Sequence, residues 1–471
     1  MKTIAIAGGG ITGLSTAYYL QRELASGGLA ARVVVLEASP RLGGKIATVQ
    51  DGGFTMETGA DSIVARKENV APFIEDMGLT GEVVYNATGK SYIYIDGGLK
   101  KIPEDSVFGI PLSLQSLAES TLISAEGKVE ALKDYYTPEH NFTFNDSIGL
   151  FLESCLGKEI VERQIAPVLS GVYSGKLHDL TIASTLPYLL TYKNEYGSLL
   201  KGLSENKQKY KSAGNAKFIS FGDGVSALID TLEKRLAEVE IRKSAKLERI
   251  SRSEGRYRLS IAGDEALNAD YVVLSTDYTA AQRMLQDKEL DTDFSQLKNS
   301  SLISVYAGFD IPDSELPNDG TGFITADHSG LACDACTWTS RKWTHTSKEH
   351  KLLVRLFYKS SNPRYSELKH YTAEQLVQTA LRDIQLSLGI TAEPVTVQVT
   401  PWRDAMPNYH IRHHEIVKSL ENKLAERYPG IMLAGCSYYG VGIPDCIANG
   451  QQTAEAIIHS MRQQQTEQVR A

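Results

Sequence analysis

Three glycines and one acid set the chemistry this chain of 471 residues is equipped for. Gly8, Gly10 and Gly13 stand in the spacing Gly-x-Gly-x-x-Gly, and Glu37 follows twenty-four residues after the last of them. An apolar run, Thr3 to Ala7, leads into the glycines, and Ile11 and Thr12 open a helical pattern. In such a strand, turn and helix, Gly8 permits a tight turn, Gly10 lets a pyrophosphate approach the backbone, and Gly13 lets the helix pack closely on the strand. The free N–H groups and the positive dipole end of the helix then stabilise the phosphates. Glu37 ends a second apolar run, Arg32 to Leu36, where a carboxylate accepts hydrogen bonds from an adenosine ribose. Together these features predict dinucleotide binding. A purely structural turn is the competing reading, since 39 glycines are spread along the chain.

Directly after Glu37 comes Ala38-Ser39-Pro40-Arg41-Leu42-Gly43-Gly44-Lys45. Basic side chains and two glycines behind the ribose-binding acid offer charge and close backbone contact to a pyrophosphate, which suits an extended FAD better than NAD. A third segment lies far away in sequence. Gly430 to Gly435 reads as a strand ending in glycine, followed by Tyr438-Tyr439-Gly440-Val441-Gly442-Ile443-Pro444-Asp445-Cys446-Ile447 and a helical pattern through Ile458. Pro444 suits a first helical turn, whose exposed N–H groups can face an electron-rich flavin carbonyl. If the first and last stretches share one cofactor, the cofactor-binding domain is discontinuous.

Those residues need elements to hold them. Residues 1 to about 70 read as strand, helix, strand and a polar glycine-rich segment, and 97 to 212 are mostly helical in pattern, closing on a lysine-rich stretch from Lys201 to Lys217 that reads as an exposed connection. Val225 to Leu236 predicts an amphipathic helix, and Tyr271 to Ser275 a buried strand. From Leu302 to Val399, alternating runs predict a largely antiparallel sheet. The fold class is therefore mixed α/β, with a Rossmann-like unit, an antiparallel-sheet unit and a helical unit.

Composition narrows the function. A net charge of −8 disfavours a nucleic-acid partner. Five cysteines make no disulfide framework and fit a reducing cytoplasm. The uncharged run from Thr3 to Gln21 carries too many glycines and hydroxyls for a signal peptide, and no run is long and apolar enough to span a bilayer. Val107 to Ala125, apolar with the single charge Glu119, fits a core helix or the substrate's path better than a peripheral membrane contact, because it lacks a basic face. Cys333 and Cys336 have redox-motif spacing in a strand-like context and read as structural. His410, His413 and His414 lack a carboxylate at metal-binding spacing, so no metal is expected, and no catalytic nucleophile has a local signature.

The motif Arg41-x-Gly43-Gly44-Lys45-x-x-Thr48 resembles that of the flavin amine oxidase and protoporphyrinogen oxidase superfamily. Within it the chain is most similar to the Gram-positive type of coproporphyrinogen III oxidase. The similarity rests on Gly59-Ala60-Asp61-Ser62, Asn86-Ala87-Thr88-Gly89, Leu169 to Gly175, Ala335 to Thr339, Met406 to His410 and, most specifically, Gly440 to Ile447. It implies an FAD oxidase of haem biosynthesis that aromatises coproporphyrinogen III in three two-electron steps, with O2 as acceptor and hydrogen peroxide as product. It further implies that Gly59, Ala60, Asp61 and Ser62 lie near the flavin, that Leu247 meets the adenine through its backbone, and that Trp402 packs beside the ring system. The family usually has proline where Ala60 stands. Four propionates on the substrate call for cations, and Arg66 and Lys67 are the candidates, followed by Tyr409 and His410 as further substrate contacts. The implied domains are FAD-binding (1–70, 213–280 and 425–471), substrate-binding (71–96 and 281–424) and helical (97–212). Three other readings stay open: a protoporphyrinogen oxidase, an amine oxidase of the same superfamily, and a non-catalytic flavin or porphyrin carrier docking on a ferrochelatase.

Overall fold

The computed structural model describes residues 1–470 except 173–176, 211–216, 254, 328 and 411. The sequence markers Tyr173, Ser174 and Gly175 and part of the lysine-rich stretch fall outside the described residues. β1 (Lys2–Ala7) leads into α1 (Ile11–Gly27) and β2 (Ala31–Leu36). β1 is the middle strand of a five-stranded parallel sheet, with β2 and then Glu240–Arg242 on one side, and Tyr271–Leu274 and then Ile431–Leu433 on the other. One sheet thus gathers segments from both ends and the middle of the chain. Its strands are covered on both faces, which is why they are near-continuous apolar runs. Ile4, Ile6, Val33 and Val35 face α1 and the last helix, Ile443–Arg470, while Ala5, Val34 and Leu36 face helices Tyr278–Leu285 and His413–Arg427.

The second sheet has seven strands, from Pro394–Asn408 at one edge through Lys298–Pro312, Lys351–Lys359, Ala335–Trp338, Gly320–Thr325 and Lys90–Ile95 to Gly98–Lys101. It is antiparallel except where Gly320–Thr325 runs parallel to Lys90–Ile95. Strand Gly98–Lys101 belongs to this sheet although sequence reading places it in the helical stretch. Helix Val70–Met77, and the helices at 278–294 and 413–427, likewise pack on the parallel sheet's core rather than on this one.

Short helices between Leu114 and Glu205 form a separate core around Phe151, Ile165 and Leu189. A buried ion pair, Lys193 to Asp134 at 2.7 Å, pins two of its elements, with Ser198 and the Leu200 N–H donating to the other carboxylate oxygen. The apolar side chains Ile110, Leu112, Leu117, Leu122 and Ile123 of the Val107 to Ala125 segment are turned inside, while Leu114 is exposed.

Candidate cofactor and active site

The three glycines of the first motif differ in what their backbones allow. Gly8 has φ +106°, and a Cβ there would stand 2.8 Å from the Ser275 carbonyl oxygen. A Cβ on Gly13 would lie 2.0 Å from the Gly8 oxygen, so α1 meets β1 at backbone contact distance only because position 13 has no side chain. Gly10 is the opposite case. It is the extended residue that starts α1, no side chain caps the helix there, and a Cβ would have nothing within 4 Å. Nothing in the protein requires glycine at position 10; open space beside an uncapped helix N-terminus is the cradle a phosphate needs. The residues present therefore fit a dinucleotide.

Glu37 follows β2 with its carboxylate already oriented. Oε2 accepts the Gly9 N–H and Oε1 the Ser39 N–H, both at 2.7 Å, which leaves further acceptor capacity on each oxygen. The Glu37 backbone is bonded to Arg242 and Ala245, which brings the buried start of strand Leu247–Ser253 alongside. Ala38 and the exposed Arg41 follow in the same turn.

The second glycine pair lies directly beside the first motif. The Gly43 N–H donates to the Gly9 oxygen at 2.9 Å, and a Cβ on Gly44 would be 3.4 Å from the Gly10 Cα. Lys45 and Ala47 in turn carry the next segment, accepting the Ala60 N–H at 3.0 Å and the Thr58 N–H at 2.9 Å. A proline at position 60 would lack that first bond, so alanine here exchanges a rigid φ for a backbone tie. Gly59 has no room for a side chain, since a Cβ would reach 1.9 Å from the Lys45 oxygen. Trp402 donates its indole N–H to the Thr58 oxygen at 2.9 Å, which places its ring against Gly59.

Two cations that sequence reading missed brace this segment from the second sheet. Arg355 is only 4% exposed, donates to the Thr58 and Gly59 oxygens at 3.3 and 3.2 Å, and lies 5.0 Å from the Tyr306 ring. Lys342 contacts Asp61 at 3.1 Å, and Ser62 donates to the other Asp61 oxygen at 2.8 Å. Burial alone would raise Asp61; Lys342 and then Arg355 outweigh it and hold the carboxyl down, at about 2. Neither cation has a local sequence signature, because each is a single basic residue on a strand or short helix nearly 300 residues from its partner.

The third segment closes the site. Asn449 of the last helix accepts the Gly435 N–H at 2.8 Å, and Gly435 and Gly440 both have positive φ. The Tyr409 hydroxyl donates to the Cys436 oxygen at 2.6 Å and accepts the Gly440 N–H at 2.7 Å. Val441 and Gly442 are exposed or partly so, and the helix begins at Ile443 with Pro444 in its first turn.

Tyr409 and His410, the further substrate candidates, each hydrogen-bond to backbone: the Tyr409 hydroxyl bridges the loop, and His410 Nε2 is 2.9 Å from the Gln296 oxygen. His413 stacks on Tyr409 at 3.9 Å, and no metal-capable cluster is found among the described residues. Arg66 is exposed. Lys67 pairs with Asp445 at 2.9 Å, and Asn69 donates to the Pro444 oxygen at 2.8 Å, so this segment is braced against the start of the last helix.

Residues 11–458 match the flavin containing amine oxidoreductase family. The chain is 33% identical to the coproporphyrinogen III oxidase of Bacillus subtilis (strain 168), covering 96% of both chains. It is 32% identical to that of Staphylococcus aureus, covering 97% of this chain and 99% of the relative. A crystal structure from Exiguobacterium sp. 255-15 superposes with a TM-score of 0.87 at 34% identity, over 97% of this chain and 98% of that one. No helix among the described residues is long and apolar enough to cross a membrane. With a family match that spans residues 11–458, nearly the whole chain, this protein belongs to the flavin containing amine oxidoreductases.

Proposed function

We propose that this chain is an FAD-dependent oxidase that converts coproporphyrinogen III to coproporphyrin III. The observation that carries the reading is similarity at 33% identity along 96% of both chains to a coproporphyrinogen III oxidase, in a chain whose own glycine cradle fits a dinucleotide. In this reading Gly8, Gly10, Ile11, Thr12 and Gly13 receive the pyrophosphate at the start of α1. Glu37, Ala38, Arg41 and Leu247 hold the adenosine end. Gly43, Gly44, Lys45, Gly59 to Ser62, Trp402, Gly435 and Gly440 to Ile443 enclose the rest.

When bound, the flavin accepts two electrons from each bridging carbon to be oxidised and returns them to O2 as hydrogen peroxide. Loss of hydride from a bridge leaves a cation delocalised over the adjacent pyrroles, which makes a pyrrole N–H acidic, so the protein needs no strong dedicated base. The side chains orient the macrocycle, exclude water and meet its propionates. Lys67 is suited to the last task. Its ion pair with Asp445 is between half-exposed groups, and such pairs are weak enough for an incoming propionate to displace the aspartate.

A dicarboxylate porphyrinogen is the neighbouring alternative, and relative kcat/KM on coproporphyrinogen III and protoporphyrinogen IX tests the choice. The four-propionate substrate should be strongly preferred. A preference for the dicarboxylate would overturn the substrate assignment.

A further inference from the structure

Two of the five cysteines stand at the two ends of the loop that joins the last strand to the last helix. Cys436 follows Gly435, and Cys446 lies in the first turn of Ile443–Arg470. The loop between them is folded back on itself. Tyr409 ties the Cys436 oxygen to the Gly440 N–H, and the Cys446 thiol donates to the Gly440 oxygen at 3.6 Å, so both cysteines are held to the same glycine of the folded loop. On its other side, Cys436 Sγ is 3.6 Å from the Lys45 ammonium. Cys436 is partly exposed, whereas the other four cysteines are buried.

The chemistry around these sulfurs is uneven. The Cys446 side chain and then Lys45 pull Cys436 below the ordinary thiol range against its burial, while Cys446 is pushed up. Burial likewise pushes up Cys155, Cys333 and Cys336. A thiolate beside a cation, partly open, with a second thiol at the other end of the same folded loop is the arrangement of a peroxide-sensing pair.

We propose that Cys436 is a peroxide-reactive thiolate and Cys446 its resolving thiol, so that hydrogen peroxide closes a reversible disulfide across this loop. The proposal rests on the oxidase reading for its natural source of peroxide. In the first step the Cys436 sulfur attacks one peroxide oxygen: an S–O bond forms, the O–O bond breaks, hydroxide leaves, and sulfur is oxidised by two electrons to the sulfenic acid. In the second, the Cys446 sulfur attacks the Cys436 sulfur: an S–S bond forms, the S–O bond breaks, and the sulfenic oxygen leaves with the Cys446 proton as water. The negative charge beside Lys45 is lost, and the loop between Gly440 and Ile443 is clamped at both ends.

Added hydrogen peroxide tests this on the purified, flavin-loaded protein, with alkylation of remaining thiols, digestion and peptide mass mapping. The Cys436 peptide should become linked to the Cys446 peptide, be released by dithiothreitol, and form at least about ten-fold faster than any oxidation at Cys155, Cys333 or Cys336. In Cys446→Ser the reaction should stop at a sulfenic acid on Cys436 that dimedone traps; in Cys436→Ser both products should vanish. Wild-type protein whose Cys436 stays fully alkylatable after peroxide would overturn the proposal, as would a linked peptide that omits Cys446. Because peroxide is supplied, the result is independent of turnover: a disulfide without porphyrin formation would defeat only the oxidase reading, and an active enzyme with inert thiols only this one.

Discussion

Glu57 lies buried beneath the glycine segments, one carboxylate oxygen accepting the Val225 N–H and the other the Thr48 hydroxyl, each at 2.8 Å. Burial outweighs those bonds and raises the carboxyl to about 7 from 4.5. The folded chain therefore holds this proton more tightly than the unfolded chain does. Its contribution to stability is fully present below about pH 4.5 and is lost as pH rises through 7. Glu57→Gln should remove that loss and gain roughly 1–3 kcal/mol over the wild type at pH 8. Urea unfolding at pH 5 and pH 8 reads it, and an undiminished pH dependence in the variant would place the titration elsewhere. Glu37→Ala should weaken FAD binding about ten-fold or more, from the loss of a charge-assisted hydrogen-bond set. Unchanged affinity in a flavin titration would move the ribose contact to another residue. At Lys67 the exposed ion pair limits the effect, so Lys67→Ala should raise KM for coproporphyrinogen by roughly three- to ten-fold at unchanged flavin content; an unaltered KM would leave Lys67 a surface charge. Glu37 stood out as a candidate because the role proposed for it depends on its spacing from a glycine turn. Arg355, Lys342 and the Cys436 to Lys45 contact did not, because each arises only when distant strands and loops meet.

The elements carry a sharper contrast between two glycines three residues apart. Gly13→Ala should destabilise the fold by roughly 1–3 kcal/mol, because its methyl collides with the Gly8 oxygen and forces α1 away from β1. Gly10→Val meets open space and should leave the fold nearly as stable while yielding colourless protein, since the side chain fills the phosphate cradle. Thermal melts and flavin absorbance on both variants decide it; a yellow Gly10→Val protein would sink the phosphate assignment. The parallel strands were readable because burial on both faces demands continuous apolar runs, as in Val33 to Leu36. The strand pattern in Ser304 to Phe309 and Leu352 to Phe357 similarly announced the second sheet. It did not announce that Gly320–Thr325 would pair in parallel with Lys90–Ile95, because alternation fixes a strand's faces and not its neighbour.

At the scale of the whole molecule, the return of the chain to its beginning was legible for a chemical reason: glycine segments at both ends suggest one shared ligand. The structure gives that return a physical form, with α1 and the last helix packed so closely that a Cβ on Gly450 would lie 2.8 Å from the Thr12 oxygen. The home of the amphipathic helices at 278–294 and 413–427 was not legible, since an apolar face does not name the sheet that will cover it. Around the glycine cradle these parts form a site with ample means of holding a flavin and few groups for acid–base work, which is what an oxidase of porphyrinogens requires. The direct measurement is aerobic turnover of coproporphyrinogen III by the yellow protein, following porphyrin absorbance and peroxide together. Coproporphyrin III should form with three equivalents of hydrogen peroxide each, and the colourless Gly10→Val variant should form none above autoxidation. Porphyrin appearing no faster with the flavin-loaded protein than without it would contradict the account.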